Sequence, residues 1–164
     1  MAYLLDANVF IQAKNLHYGF DFCPAFWDWV LAQNAEGKVF STEKVGDELR
    51  SGDDELAEWA EARGPEFFLP PDGLMLAEMG TVSHWATSAN YDQAAVSTFL
   101  GVADSFLVAM ALAHKHVVIT HEKASPSIKR IKIPDACIPL KVKCMTPFEM
   151  LRLEHARFVL GKEK

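Results

Sequence analysis

Apolar residues fall along this chain in short blocks, set between stretches where they recur at helical spacing. Tyr3-Leu4-Leu5 opens a run to Ile11 that reads as a buried strand with a carboxylate, Asp6, where the strand ends. Val117-Val118-Ile119-Thr120 is the clearest strand, uninterrupted and β-branched. Lys38-Val39-Phe40-Ser41 and Val142-Lys143-Cys144 are shorter candidates, and Phe67-Phe68-Leu69 is an extended piece that runs into a loop at Pro70-Pro71. Ile131 to Ile138 contains Pro134 and reads at best as an edge piece. Between these lie the helices. Pro24 suits the first turn of one that runs to about Gly37, with Phe26, Trp27, Val30 and Leu31 on its core face. Ser41 or Thr42 caps a second through Val45, Glu48 and Leu49, and Asp53 opens a third over Asp54 to Arg63. Residues 72 to 100 read as two helices that break near Ala89 to Tyr91. Asp104 opens a strongly apolar helix to about His114, and Thr146 caps a last one from Pro147 to about Leu160. Asn15 to Cys23 reads as a loop. Strands alternating with helices predict parallel pairing, and hence a three-layer α/β/α sandwich around a short parallel sheet.

Composition narrows the class. A length of 164 residues, half of them hydrophobic and 23% charged, suits one domain with a proper core, and neither a repeat nor a linker divides it. Its apolar runs fall well short of the roughly 18 residues of a membrane span, and the N-terminus carries no signal-peptide pattern. Cys23, Cys137 and Cys144 form neither an even set nor a Cys-x-x-Cys pair, so reduced thiols in a cytoplasmic protein are expected.

A net charge of −6 argues against a broad basic surface for nucleic acid, but not against a site that reaches phosphates through metal ions. The charge is uneven. Between Lys123 and Lys143 stand six basic residues, Lys123, Lys129, Arg130, Lys132, Lys141 and Lys143, with Asp135 the only acid. Such a run is either a solvated loop or a phosphate-contacting edge, in which Lys123, Lys129, Arg130 and Lys132 would meet nucleic acid.

The acids carry the candidate chemistry. In an open parallel sheet, ligands sit beyond the carboxyl ends of the strands, where strand order switches. Asp6 and Glu122 both follow apolar strands, Asp104 opens a buried helix, and Glu48 lies on the helix after the second strand. Glu43 or Asp47 is the alternative inward acid on that helix. Four carboxylates converging in a low-dielectric site repel one another unless cations lie between them. Oxygen-only ligation points to Mg²⁺ or Mn²⁺, and paired ions of this kind suit phosphodiester hydrolysis. Each acid also has a plainer reading as a helix cap or a solvated side chain, as do Asp53 and Asp54. His114, His116 and His121 lie close in sequence, but their spacing does not match a zinc site.

Leu4-Leu5-Asp6-Ala7-Asn8-Val9-Phe10 resembles the opening of PIN domains, the ribonuclease fold of VapC-type toxins. The resemblance continues through Glu48-Leu49, Ala103-Asp104-Ser105-Phe106-Leu107 and Val118-Ile119-Thr120-His121-Glu122. Phe26-Trp27-Asp28-Trp29 and Gly52-Asp53-Asp54-Glu55 suggest a subgroup of PIN-like proteins. The resemblance implies a metal-dependent endoribonuclease that hydrolyses RNA. It implies a homodimer and a small antitoxin whose tail covers the acidic cleft. It assigns the acids to Asp6, Glu48 and Asp104, support to Asn8, and the strand-end hydroxyl to Thr120. The family's usual aspartate two residues after that threonine is replaced here by Glu122, with Asp135 as an alternative for the second metal position. A scaffold that has lost catalysis is the competing reading. A haloacid-dehalogenase-like phosphotransferase would need an acid where Asn8 stands. Substrate choice in such folds lives in loops, here Asn15 to Cys23 and Pro70 to Ser88.

Overall fold

In the computed structural model, which describes residues 1–161, five strands form one all-parallel sheet in the order β3-β2-β1-β4-β5. They are β1 (Tyr3–Leu5), β2 (Val39–Thr42), β3 (Phe68–Leu69), β4 (Val117–Ile119) and β5 (Cys144–Met145). β1 is central. It pairs with β2 through Tyr3↔Val39 and with β4 through Leu5↔Ile119, so strand order reverses between β1 and β4.

Side-chain alternation along these strands builds two cores. Tyr3, Leu5, Val117 and Ile119 point to one face, where they meet α1 (Ala7–Gln12), α2 (Pro24–Ala35), α3 (Glu43–Arg50), α4 (Glu55–Glu61) and α9 (Pro147–Leu153). Leu4 and Val118 point to the other, under α5 (Gly73–Ser88), α6 (Gln93–Gly101), α7 (Ala103–His114) and α8 (Ile133–Cys137). Leu4, Leu5, Val118 and Ile119 are completely buried, as strands covered on both faces must be. The three-layer sandwich expected from the sequence is the fold.

Local chemistry sets the element ends. Thr42, Asp54, Asp72 and Thr146 cap α3, α4, α5 and α9, each side chain accepting a backbone N–H one turn on. Gly37 takes φ +76 just past α2, the left-handed turn in which a Cβ is disfavoured. Gly46 lets α3 lie against β3, since a Cβ there would stand 2.8 Å from the Phe68 ring. No single described helix is long and apolar enough to cross a membrane.

Four elements differ from the sequence reading. Ile131 to Ile138 is not an edge strand: Pro134 sits in the first turn of α8, where its missing N–H costs nothing. The expected loop at Asn15 begins as a π-helical turn, Ala13–His17, that continues α1. Most of Pro70 to Ser88 is helix α5, which agrees with the helical reading of residues 72 to 100 and not with its naming as a substrate-selecting loop. The last helix stops at Leu153 instead of near Leu160, and the chain beyond crosses back so that Ala156 and Phe158 pack on the first core.

Candidate active site

The carboxyl ends of β1 and β4 open into a cleft of about 500 Å³ lined by Asp6, Asn8, Glu48, Asp104 and Glu122, with Lys129 and Arg130 on its edge and Thr98, Phe99 and Val102 forming an apolar wall. This is the crevice at the reversal of strand order, where an open parallel sheet exposes its helix N-termini to a ligand.

Asp6 is the anchor. It caps α1, its Oδ1 accepting the Ala7 N–H at 2.7 Å, and its Oδ2 accepts the Thr120 hydroxyl at 2.8 Å. Only 4% of it is exposed. Burial, then the charges of Asp104 and Glu122, push its pKa up from 3.8 to about 7, against the opposing pull of those two hydrogen bonds. Thr120 is a hub. Its Oγ1 also accepts the Glu122 N–H at 3.0 Å and the Asn8 amide at 3.3 Å, while Asn8 Oδ1 accepts the His121 N–H at 3.2 Å. Asn8 and Thr120 thus lock the end of β4 to the first turn of α1.

Asp104 lies in the first turn of α7 and is partly buried. Burial, then Glu122 and Glu48, raise its pKa to about 6, with Arg130 and Lys132 acting the other way. Glu48 stands at the exposed rim, and its pKa is raised by partial desolvation. Its neighbours Glu43 and Asp47 are exposed and line no part of the cleft, and Asp47 meets Arg50 at 3.4 Å. Glu122 is held by the loop that follows it: Oε2 accepts the Ile133 N–H at 3.0 Å, and Oε1 lies 4.0 Å from Arg130.

Other candidates fall elsewhere. Asp135 spends both oxygens on backbone, accepting the Lys132 N–H at 2.9 Å and the Ser125 N–H at 2.9 Å, and so staples the basic loop. Asp54 caps α4 and pairs with Lys14 at 3.0 Å, and Asp53 lies outside the cleft. Lys123 faces a separate depression beside Pro134 and Glu149. Lys132 does not line the cleft, though its charge reaches Asp104. The three histidines do not converge: His114 and His116 stack at 5.7 Å, with His114 also meeting Asp72 at 2.7 Å and His116 accepting the Ala2 N–H, while His121 packs instead against His17 and Phe148.

Two contributors escaped the sequence reading. The Ile133 amide that holds Glu122 is backbone, which no residue type announces, and the α6 wall looks like ordinary apolar helix.

The donor set suits a hard divalent cation. It is all oxygen, and in Asp6 and Asp104 burial, together with the facing carboxylates, raises the pKa, so that a bound cation would favour their charged forms. Among the described residues, no three acid, histidine or cysteine side chains already stand close enough to grip one ion.

A family model described as a domain of unknown function, DUF4411, matches residues 3–158. The chain belongs to the DUF4411 family. No curated protein matches this DUF4411 chain. Among solved structures, that of FitAB bound to an IR36 DNA fragment matches it at 18% identity with a TM-score of 0.54, covering 89% of this chain and 95% of the other. The crystal structure of FitAcB from Neisseria gonorrhoeae gives the same identity and TM-score, covering 89% of this chain and 98% of the other. At that identity the likeness is one of fold, the PIN-like three-layer sandwich.

Proposed function

We propose that this DUF4411 chain is a metal-dependent endoribonuclease that hydrolyses RNA phosphodiester bonds and acts as the toxin of a toxin–antitoxin pair. The observation that carries the reading is the meeting of Asp6, Asp104 and Glu122, with Glu48 at the rim, in one cleft at the strand-order reversal. A structural role explains such a group poorly, because buried acids facing one another destabilise a fold that offers them no cation.

Asp6, Asp104, Glu122 and Glu48 would hold Mg²⁺ or Mn²⁺. When bound, the metal would supply charge neutralisation for a phosphodiester and a nucleophile at neutral pH. The residues of the chain do the rest. Thr120 and Asn8 fix the direction of the Asp6 carboxylate, and the Ile133 amide fixes that of Glu122. Arg130 and Lys129, exposed on the cleft edge, offer the positive charge that draws a phosphate to the acids. Phe99 and Val102 give the cleft an apolar part.

The toxin role rests on the sequence resemblance to VapC-type proteins together with the shared fold. It brings with it a homodimer, a cytoplasmic site of action and a small antitoxin that offers a basic side chain to the acidic cleft. The three cysteines, all free, suit a reducing compartment. A binding scaffold is the second reading, favoured by one observation: both oxygens of Glu122 face donors of the chain itself, the Ile133 N–H and the Arg130 guanidinium.

A pool of structured RNAs incubated with Mg²⁺, with Mn²⁺ or with a chelator, using the parent and Asp104→Asn, tests the proposal. The expected result is cleavage that requires metal and is lost in the variant. A folded parent that binds neither metal would leave the scaffold.

A further inference from the structure

A second concavity has a lining of a different kind from that of the acidic cleft. Tyr18, Phe148 and Phe158 wall a pocket of about 200 Å³ together with Leu151 and Ala156, and Arg152 stands at its edge. It is smaller than the roughly 300–1,000 Å³ of pockets that take drug-sized ligands, and so fits a single planar ring system. The walls are already organised. Tyr18 stacks on Phe26 at 4.5 Å, and Phe158 meets the Tyr18 ring edge-on at 5.6 Å. Its polar groups are free: among the described residues the Tyr18 hydroxyl makes no hydrogen bond and Arg152 makes no ion pair. Arg152 is exposed and near enough to Tyr18 to influence its phenol.

An aromatic shelf joins this pocket to the cleft. Phe148 touches both His17, at 5.1 Å, and His121, at 5.6 Å, and the two imidazoles lie 5.5 Å apart. His121 in turn is tied through its backbone N–H to Asn8, which lines the cleft. All three rings are only partly buried. From the acids outward there is thus a path of half-exposed rings that ends in an aromatic pocket with a cation at its mouth. Lys129 and Arg130 line the same cleft as the acids.

We propose that the Tyr18–Phe148–Phe158 pocket is a nucleobase subsite, which takes an unpaired base of an RNA strand lying across the acidic cleft, with Arg152 meeting the adjoining phosphate. The assignment rests on the ribonuclease reading above and extends it to the substrate class: single-stranded or looped RNA, whose bases are free to leave a stack. Ring walls accept the faces of any base, while a free phenol and a guanidinium can recognise its edge. The charges also suit a polyanion: Arg152 stands at the pocket, and Lys129 and Arg130 line the cleft of the acids.

The test uses a catalytically silenced background, Asp104→Asn, and a fluorescent pool of single-stranded RNA hexamers, with the same hexamers carrying one abasic position as control. Adding Phe148→Ala or Arg152→Ala should weaken binding of the intact pool about tenfold. The Phe148→Ala loss should shrink on the abasic hexamers, because no base remains to occupy the pocket. Arg152→Ala keeps the fold readable, since its side chain is exposed, and thermal melting checks Phe148→Ala. In the active parent, the same substitutions should alter which positions of an RNA are cut. If the parent cleaves RNA with metal while both variants keep full affinity and the same cut sites, the subsite is wrong and the nuclease stands. If the variants lose affinity for a protein inhibitor but not for RNA, the pocket takes a peptide side chain instead. If the silenced protein binds no RNA and the parent cuts none, both proposals fall.

Discussion

Asp6 illustrates how one residue carries two opposed demands. It caps α1 and closes the sheet to the first helix, yet burial and facing carboxylates raise its pKa from 3.8 to about 7. Because the folded value lies above the unfolded one, the metal-free fold binds this proton more tightly than the unfolded chain. The contribution to stability is complete below about pH 4 and is lost as pH rises through about 7. In chelator, Asp6→Asn should therefore gain stability relative to the parent as pH rises through that window, read as the difference in melting temperature. Activity should show the reverse preference. A silenced ligand, Asp6→Asn or Asp104→Asn, should lower the RNA cleavage rate by at least about 100-fold and weaken metal binding, measured by single-turnover assay and by titration. Thr120→Val is the subtler variant. It removes a bond that favours ionised Asp6 and strips the acceptor from the Glu122 N–H, so it should cost about 1–3 kcal/mol in chemical denaturation. It should also move the acidic limb of the pH–rate profile upward.

Among the elements, the loop between β4 and α8 joins the acids to the basic edge. Asp135 staples it through Ser125 and Lys132, and the Ile133 amide beyond it reaches back to Glu122. Asp135→Ala should loosen the loop, and with it the basic edge, while removing none of the acids of the cleft. The expected result is faster amide exchange at Ser125 and Lys132 and a raised KM with kcat changed less, whereas loss of a metal ligand would collapse kcat. This loop also shows why some of the molecule was legible in the sequence and some was not. Strands buried on both faces, such as Val117–Ile119, declare themselves because an unbroken β-branched run has few other uses, and Asp6 was visible because a charge ended such a run. Residues 131 to 138 misled because their alternating apolar residues suit a short strand as well as a helical turn. Only the docking of Ile133, Ala136 and Cys137 into the second core decides between them. In the same way, the inward acid of α3 depended on helix rotation over the sheet, which local spacing leaves ambiguous among Glu43, Asp47 and Glu48. The aromatic pocket was invisible: it joins Tyr18 to Phe148 and Phe158, and the turn of the chain after Leu153 that brings Phe158 home has no signature of its own.

For the molecule as a whole, cation binding should act as a stabiliser. A ligand that binds only the folded chain raises stability by mass action, and here it also relieves the repulsion among Asp6, Asp104 and Glu122. Mn²⁺ or Mg²⁺ should raise the melting temperature more at pH 8 than at pH 5, because protons compete for the same oxygens at the lower value. Equal shifts at both pH values, or none, would count against a metal in this cleft. The sheet order has a consequence for how such a protein comes into being. β1 lies at the centre, but one of its two partners, β4, is more than a hundred residues later, and the bond from Thr120 to Asp6 spans 114 positions. During synthesis the first acid leaves the ribosome long before the strand, hydroxyl and second acid that complete its surroundings. On the proposed ribonuclease reading this order is a built-in delay: the acids of the cleft stay apart until most of the chain has been made, so a nascent chain holds no assembled cutting site for the greater part of its synthesis on a machine made largely of RNA.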